Sequence, residues 1–189
     1  LTNGVVNLLP FMVELNLFED IYGNTISGQI LMSDALGIVS NFALNGTEFI
    51  QVKLQKTASD EFPITRNFRV YKIGDRVPGD NPNTSLYTLY FCSEELLLSE
   101  QNRISKSFSG EKISGIVENI LSDKLSVSPQ KIETIEETMG LYDFVIPNLK
   151  PFEAISWLSI YARPSMAGAI GADMLFFETI NGYNYRSLQ

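Results

Sequence analysis

Histidine is absent from the 189 residues, cysteine and tryptophan occur once each, and no stretch gathers Lys or Arg into a run. Each absence removes a class of chemistry. Without histidine there is no Ser–His or Cys–His nucleophile pair and none of the usual catalytic zinc ligand sets. A lone cysteine, Cys92, cannot form an internal disulfide or a cysteine-rich zinc site, and its place in an alternating Tyr-rich stretch reads as an inert buried thiol. The longest apolar runs fall far short of the roughly 18 residues that a membrane helix needs. No secretory signal is visible, although the chain begins at Leu1 rather than Met. The net charge is −8, and with no basic cluster to neutralise phosphates a nucleic-acid reader is disfavoured. An acidic surface can still border nucleic acid where the need is to let it pass without adhesion.

What is present is ordinary globular material: 44% hydrophobic and 19% charged residues, in a length that holds one large or two small domains. No repeat, low-complexity segment or linker stands out. Phe11, Val13, Leu15 and Leu17 alternate with Met12, Glu14, Asn16 and Phe18, predicting a half-buried strand over residues 11–19. Asp20 to Asn24 turns the chain, and Ile26, Gly28, Ile30 and Met32 form one face of a second strand. Gly28 inside it marks a bend or a close backbone approach. Asp34 is placed to cap a short helix from Ala35 to about Phe42, ending near Asn45-Gly46. Strands are predicted at 49–56, 66–76 and 85–93. The fourth changes phase between Val70 and Tyr71, which predicts a bulge, and Pro78 to Asn83 reads as a loop. Five strands on short turns, with one inserted helix, point to a small antiparallel barrel or sandwich.

From Ser93 the pattern becomes helical. Ser93 is expected to cap a helix over 94–102, and Ile113, Ile116, Val117, Ile120, Leu121 and Leu125 mark a second, amphipathic helix. A turn at Ser128-Pro129 and a short strand are expected within 127–135. Asp143 to Ile146 reads as a strand stopped by Pro147, with a corner at Asn148-Leu149. Pro151 then opens a helix to about Ala162 whose stripe is Phe152, Ile155, Leu158, Ser159 and Ala162. Residues 164–172 form a small-residue loop. Leu175–Ile180 and Tyr183–Ser187 are predicted as a hairpin with Asn181-Gly182 in a type I′ turn.

Candidate chemistry is thin. Glu94, Glu95, Glu111, Glu118, Glu136 and Glu137 could in principle supply an acid/base pair for glycoside cleavage, but they lie at helix starts or on polar faces, where solvated carboxylates belong. Asp173 and Glu178 offer no more. Gly168 to Ala172 has the look of a phosphate-binding turn, yet it lacks the Lys-Ser/Thr of such loops and leads into a strand. Phe68, Tyr71, Tyr87, Tyr90, Phe91, Phe176, Phe177, Tyr183 and Tyr185 could stack bases; without interleaved cations they read as core and interface packing. No catalytic, cofactor-binding or metal-ligating residue is therefore expected. Phe18, Met12 and Tyr90 fall on faces opposite the main core, which implies strands covered on both sides, the second cover being another subunit.

These segments taken together resemble the baseplate hub subunit of contractile-tailed bacteriophages. The resemblance runs through Phe68 to Arg76, Tyr87 to Glu95, Arg103 to Gly110, Phe144 to Leu158, Ala172 to Glu178 and Tyr185 to Leu188, in the family's order and over most of the chain from about residue 10. It implies an α+β chain, with a tail-tube-like antiparallel β-barrel domain at 1–93 and a mixed helical and β domain at 94–189. Full hub subunits are longer and include a second tube barrel, so a further C-terminal part is expected. The resemblance also implies a structural virion component of the tail baseplate, assembled in the host cytoplasm, that forms a homotrimer. That ring would join the tail tube protein to the central spike protein, border baseplate wedge proteins and let DNA pass without specific binding. No enzyme activity, cofactor or small-molecule substrate is implied. A hub or spike module of a non-viral contractile injection machine, related to type VI secretion spikes, and a tail-associated cell-wall hydrolase are the alternatives.

Overall fold

The computed structural model describes residues 5–37, 48–55, 64–79, 84–166, 171 and 173–188. Two compact units emerge, one of Leu1–Phe18 with Ser27–Cys92, the other of Glu19–Ile26 with Ser93–Gln189. The turn after the first strand thus belongs to the second unit.

The first unit is one antiparallel sheet of β1 (Met12–Phe18), β2 (Ser27–Asp34), β3 (Phe49–Leu54), β4 (Ile64–Pro78) and β5 (Ser85–Cys92), in the order β1-β2-β5-β4-β3. Ile30, Met32, Ile50, Val52, Phe68, Val70, Tyr87, Leu89 and Phe91 are buried, as the alternation predicts. The expected closed barrel is not what forms among the described residues. β3 lies beyond β4, so β1 and β3 end up at opposite edges and the sheet is an open half-barrel. Closure would require those two edges to pair.

Two phase changes shape this sheet. The expected bulge in β4 is present, with the register slipping between Val70 and Lys72, and a second slip follows between Gly74 and Val77. An unexpected slip sits between Met12 and Glu14 in β1. It sets Met12 opposite Met32, on the face that holds Leu15 and Leu17 opposite Ile30 and Gly28, and leaves Val13 unpaired and 59% exposed. Simple alternation had put Met12 and Val13 on the wrong faces. Gly28 does mark a close approach: a Cβ there would lie 2.4 Å from Phe91 Cζ and 2.6 Å from the Asn16 carbonyl oxygen. Gly28→Ala is expected to cost about 1–3 kcal/mol by overpacking, read as a lower midpoint in urea with an unchanged slope.

After β2 the Asp34 carboxylate accepts the Leu36 N–H at 2.9 Å, but residues 35–37 are not helical, and the rest of the predicted helix lies outside the described residues. So do Asp80 to Asn83 of the predicted loop.

The second unit contains α1 (Glu94–Gln101), β6 (Ile104–Glu111), α2 (Ile113–Leu125), β7 (Ile132–Ile135), β8 (Tyr142–Leu149), α3 (Pro151–Ser159), β9 (Met174–Glu178) and β10 (Tyr183–Ser187). β6 pairs with β8, and β10 lies between β7 and β9. One core joins the stripes of α2 and α3 to Ile104, Phe108, Ile146, Phe176, Tyr183 and Tyr185. Each large apolar side chain buried there contributes roughly 1.5–3 kcal/mol.

Several local expectations need correction. Ser93 makes no side-chain cap; its hydroxyl donates to Glu178 instead. Pro147 does not end its strand: among the described residues β8 pairs with β6 alone, where Pro147 lies opposite Ser105, and a proline is tolerated in such an edge strand. The corner falls at Asn148, which adopts a left-handed φ of 56°. α3 stops at Ser159, three residues short of Ala162, in a turn. β6 had no sequence prediction, since only Ile104 and Phe108 of its eight residues are buried and the serines between them give no apolar alternation. The hairpin is offset by one residue: Thr179 and Gly182 exchange both backbone bonds, so Ile180-Asn181 is the loop and neither has positive φ. Gly182 is needed for a different reason, because a Cβ there would lie 2.5 Å from the Lys131 carbonyl oxygen.

Candidate functional site

Two features could carry function: a buried ionic node in the second unit and the apolar flanks of the first.

The node grows from strand alternation. In β9, Met174, Phe176 and Glu178 share the buried face, so Glu178 is drawn inward at the strand end. Its Oε2 accepts the Ile26 N–H at 2.9 Å and the Ser93 hydroxyl. Glu95, in the first turn of α1, accepts two bonds from Lys131 Nζ at 2.6 and 2.5 Å and one from the Tyr183 hydroxyl at 3.1 Å. Lys131 also lies 3.6 Å from Glu178 Oε1 and 5.4 Å from the Tyr183 ring centre. One ammonium therefore compensates two buried carboxylates. This satisfied network ties the 19–26 turn, α1 and the β9–β10 hairpin together within the unit, with Glu19 accepting the Ile180 N–H as a further tie.

Three of the remaining candidate carboxylates likewise hold the chain. Glu136 accepts the Ser187 N–H, Glu137 pairs with Lys112, and Asp173 accepts the Ser187 hydroxyl at 2.9 Å. Glu118 is exposed on α2, on the rim of an open groove it shares with Asn119 and Ser122. A second groove, of about 340 Å³, places Glu100 and Glu153 beside Lys150, which bonds Glu100 at 2.7 Å. Among the described residues no group of three or more His, Cys, Asp or Glu is arranged to hold a metal ion. Gly168, Ala169, Ile170 and Ala172 of the glycine-rich stretch lie outside the described residues.

Two exposed carboxylates are held below their ordinary range by hydrogen bonds. Glu133 accepts from Asn184 first, and from Thr179 and Asn181; Asp143 accepts from the Ser109 hydroxyl and the Gly110 N–H. A folded-state pKa below the unfolded one means that stability is fully present above the unfolded value and is lost as pH falls through the folded one. The unfolded values are 4.5 for Glu133 and 3.8 for Asp143, so the loss belongs to the acid side of about pH 4.5. Glu133→Gln is expected to lower the melting temperature at pH 7 and to flatten its fall on the acid side of pH 4.5, so that variant and parent converge at low pH, as followed by circular dichroism.

The first unit offers surface rather than a cleft. Phe18 on β1 and Phe49 on β3 are half exposed, as is Tyr71 at the β4 bulge. Arg69 stacks 3.8 Å above the Phe49 ring, and Tyr90 donates to Asp75 at 2.6 Å beneath Lys72. Of the aromatic residues singled out in the sequence, Phe68, Tyr87, Phe91, Phe176, Tyr183 and Tyr185 are core, while Tyr71, Tyr90 and Phe177 are not fully covered. Lys131 was missed. The only sequence signal for it is an acidic residue, Glu178, at an inward position of an apolar strand.

No family model matches the chain. The probable baseplate hub protein gp334 of Vibrio phage KVP40 is 23% identical over 179 residues, 94% of this chain and 41% of that protein. The chain thus spans about two fifths of the length of the curated relative it matches. Among solved structures, the E. coli c3393 protein, described as a type VI secretion component structurally similar to the T4 bacteriophage tail proteins gp27 and gp5, has a TM-score of 0.54. It is 11% identical, and the match covers 78% of this chain and 42% of that one. The 43 kDa tail protein of prophage MuSo2 from Shewanella oneidensis, also 11% identical, matches 90% of this chain and 48% of its own with a TM-score of 0.46. The resemblance to phage baseplate hub subunits read from the sequence is therefore met again in a relative of that description, and c3393 shares the fold.

Proposed function

We propose that the chain is a structural component of a phage tail baseplate hub, with no catalytic activity. In this reading copies of it form a homotrimeric ring between the tail tube and the central spike, with wedge proteins outside and DNA passing through the middle. It works in the virion tail after assembly in the host cytoplasm. The observation that carries the reading is the open five-stranded half-barrel, apolar on its buried face and again at Phe18, Phe49 and Tyr71 on its flanks. Such a sheet is finished by neighbouring subunits, since long unpaired edges are otherwise a liability. The likeness to c3393 favours a second reading, a module of a type VI-like injection machine, which uses the same surfaces. Sedimentation of the full-length protein, alone and with its spike partner, is expected to give a trimer in at least one condition; a monomer in both contradicts the reading. Zymograms on peptidoglycan should stay blank, and clearing would restore the hydrolase alternative.

A further inference from the structure

One surface of the second unit is left over by the hub reading. Phe144 on β8 packs against Trp157 at 5.4 Å and Tyr161 at 5.5 Å between ring centres, Tyr142 stacks on Phe144 at 5.5 Å, and Trp157 meets Tyr161 at 5.7 Å. The cluster is not sealed: Tyr161 is 46% exposed, and Ile160 and Leu141, which precede Tyr161 and Tyr142 in the chain, are 66% and 68% exposed. One exposed ring backed by three half-buried ones, with exposed aliphatic residues beside Tyr161 and Tyr142 in sequence, is more than the scattered apolar surface of a stable monomer.

Charge decides what fits there. Residues 19–26 and 93–189, which make up this unit, hold 15 Asp and Glu against 8 Lys and Arg, a net −7 of the chain's −8. Glu111, directly opposite Tyr142 in the β6–β8 ladder, forms no ion pair among the described residues. A second copy presenting the same unit would set −7 against −7. A cation, by contrast, gains from the field, from Glu111 and from the electron-rich faces of the rings.

We propose that the Tyr142–Phe144–Trp157–Tyr161 cluster is a docking site for a positively charged segment of a partner protein that carries aliphatic side chains beside its Arg or Lys. The aliphatic groups cover Ile160 and the ring edges, and the cation lies over a ring near Glu111. Trp157 is the chain's only tryptophan, so its emission reports on this surface alone. The test titrates the full chain with three short synthetic peptides, one of Arg and Leu, one of Glu and Leu, and one of Arg and Ser. The Arg–Leu peptide should shift Trp157 emission saturably and the other two should not; Ile160→Ser with Tyr161→Ser should weaken it about tenfold or more while the variant still melts cooperatively. No saturable shift, an equal response to either control peptide, or full binding to the variant overturns the proposal. So does an emission shift on concentrating the protein alone, which would make a second copy the occupant.

Discussion

Replacing Lys131 by Met is expected to destabilise the second unit by about 3–5 kcal/mol, enough to lower its melting temperature by roughly 10 °C or more. Lys131 pairs with Glu95 and lies 3.6 Å from Glu178, whose side chain is wholly buried. Met nearly preserves the volume, so the loss isolates charge rather than packing. Two buried carboxylates would then lose the ammonium that lies between them. Combining Lys131→Met with Glu95→Gln should recover part of the loss, because the double change removes one of the stranded charges. A Lys131→Met protein as stable as the parent would show that the node contributes nothing.

The second large effect concerns assembly rather than folding. Phe18→Asp and Phe49→Asp together should leave the isolated chain's stability within roughly 1 kcal/mol, since both side chains are already half exposed. In the assembled ring each would place a carboxylate where an aromatic ring is buried, at a cost of several kcal/mol per site. Every 1.4 kcal/mol is tenfold in affinity, so association should fall by a factor of about 100 or more. Mass photometry of full-length parent and variant at matched concentrations would read this directly. Unchanged association would remove these flanks from the interface.

Periodicity in the sequence reached a good part of this architecture. All five strands of the first unit, the phase change at Val70, the close approach at Gly28 and the two long helices follow from alternation, helical spacing and glycine chemistry. What alternation misses is whatever depends on a partner strand. The slip at Val13 exists only relative to β2, and Pro147 sits within a strand because β8 pairs with β6 alone among the described residues. The open edges likewise reflect strand order, which no local pattern encodes. Ser93 looked like a helix cap because its immediate neighbours are helical, whereas Glu178, 85 residues away, claims its hydroxyl. The aromatic cluster was half legible: Phe144 and Trp157 fall on a core strand and helix, but their meeting with Tyr142 and Tyr161 depends on tertiary packing that no local pattern encodes.

The central claim is that the edges of this sheet are finished by other subunits. Hydrogen–deuterium exchange, comparing the isolated chain with the assembled complex, measures it strand by strand. Outward-facing amides of β1 and β3 should exchange readily in the isolated chain and become protected on assembly, while those of the central β5 are slow in both. Equal exchange at β1 and β3 in the two states would contradict the account.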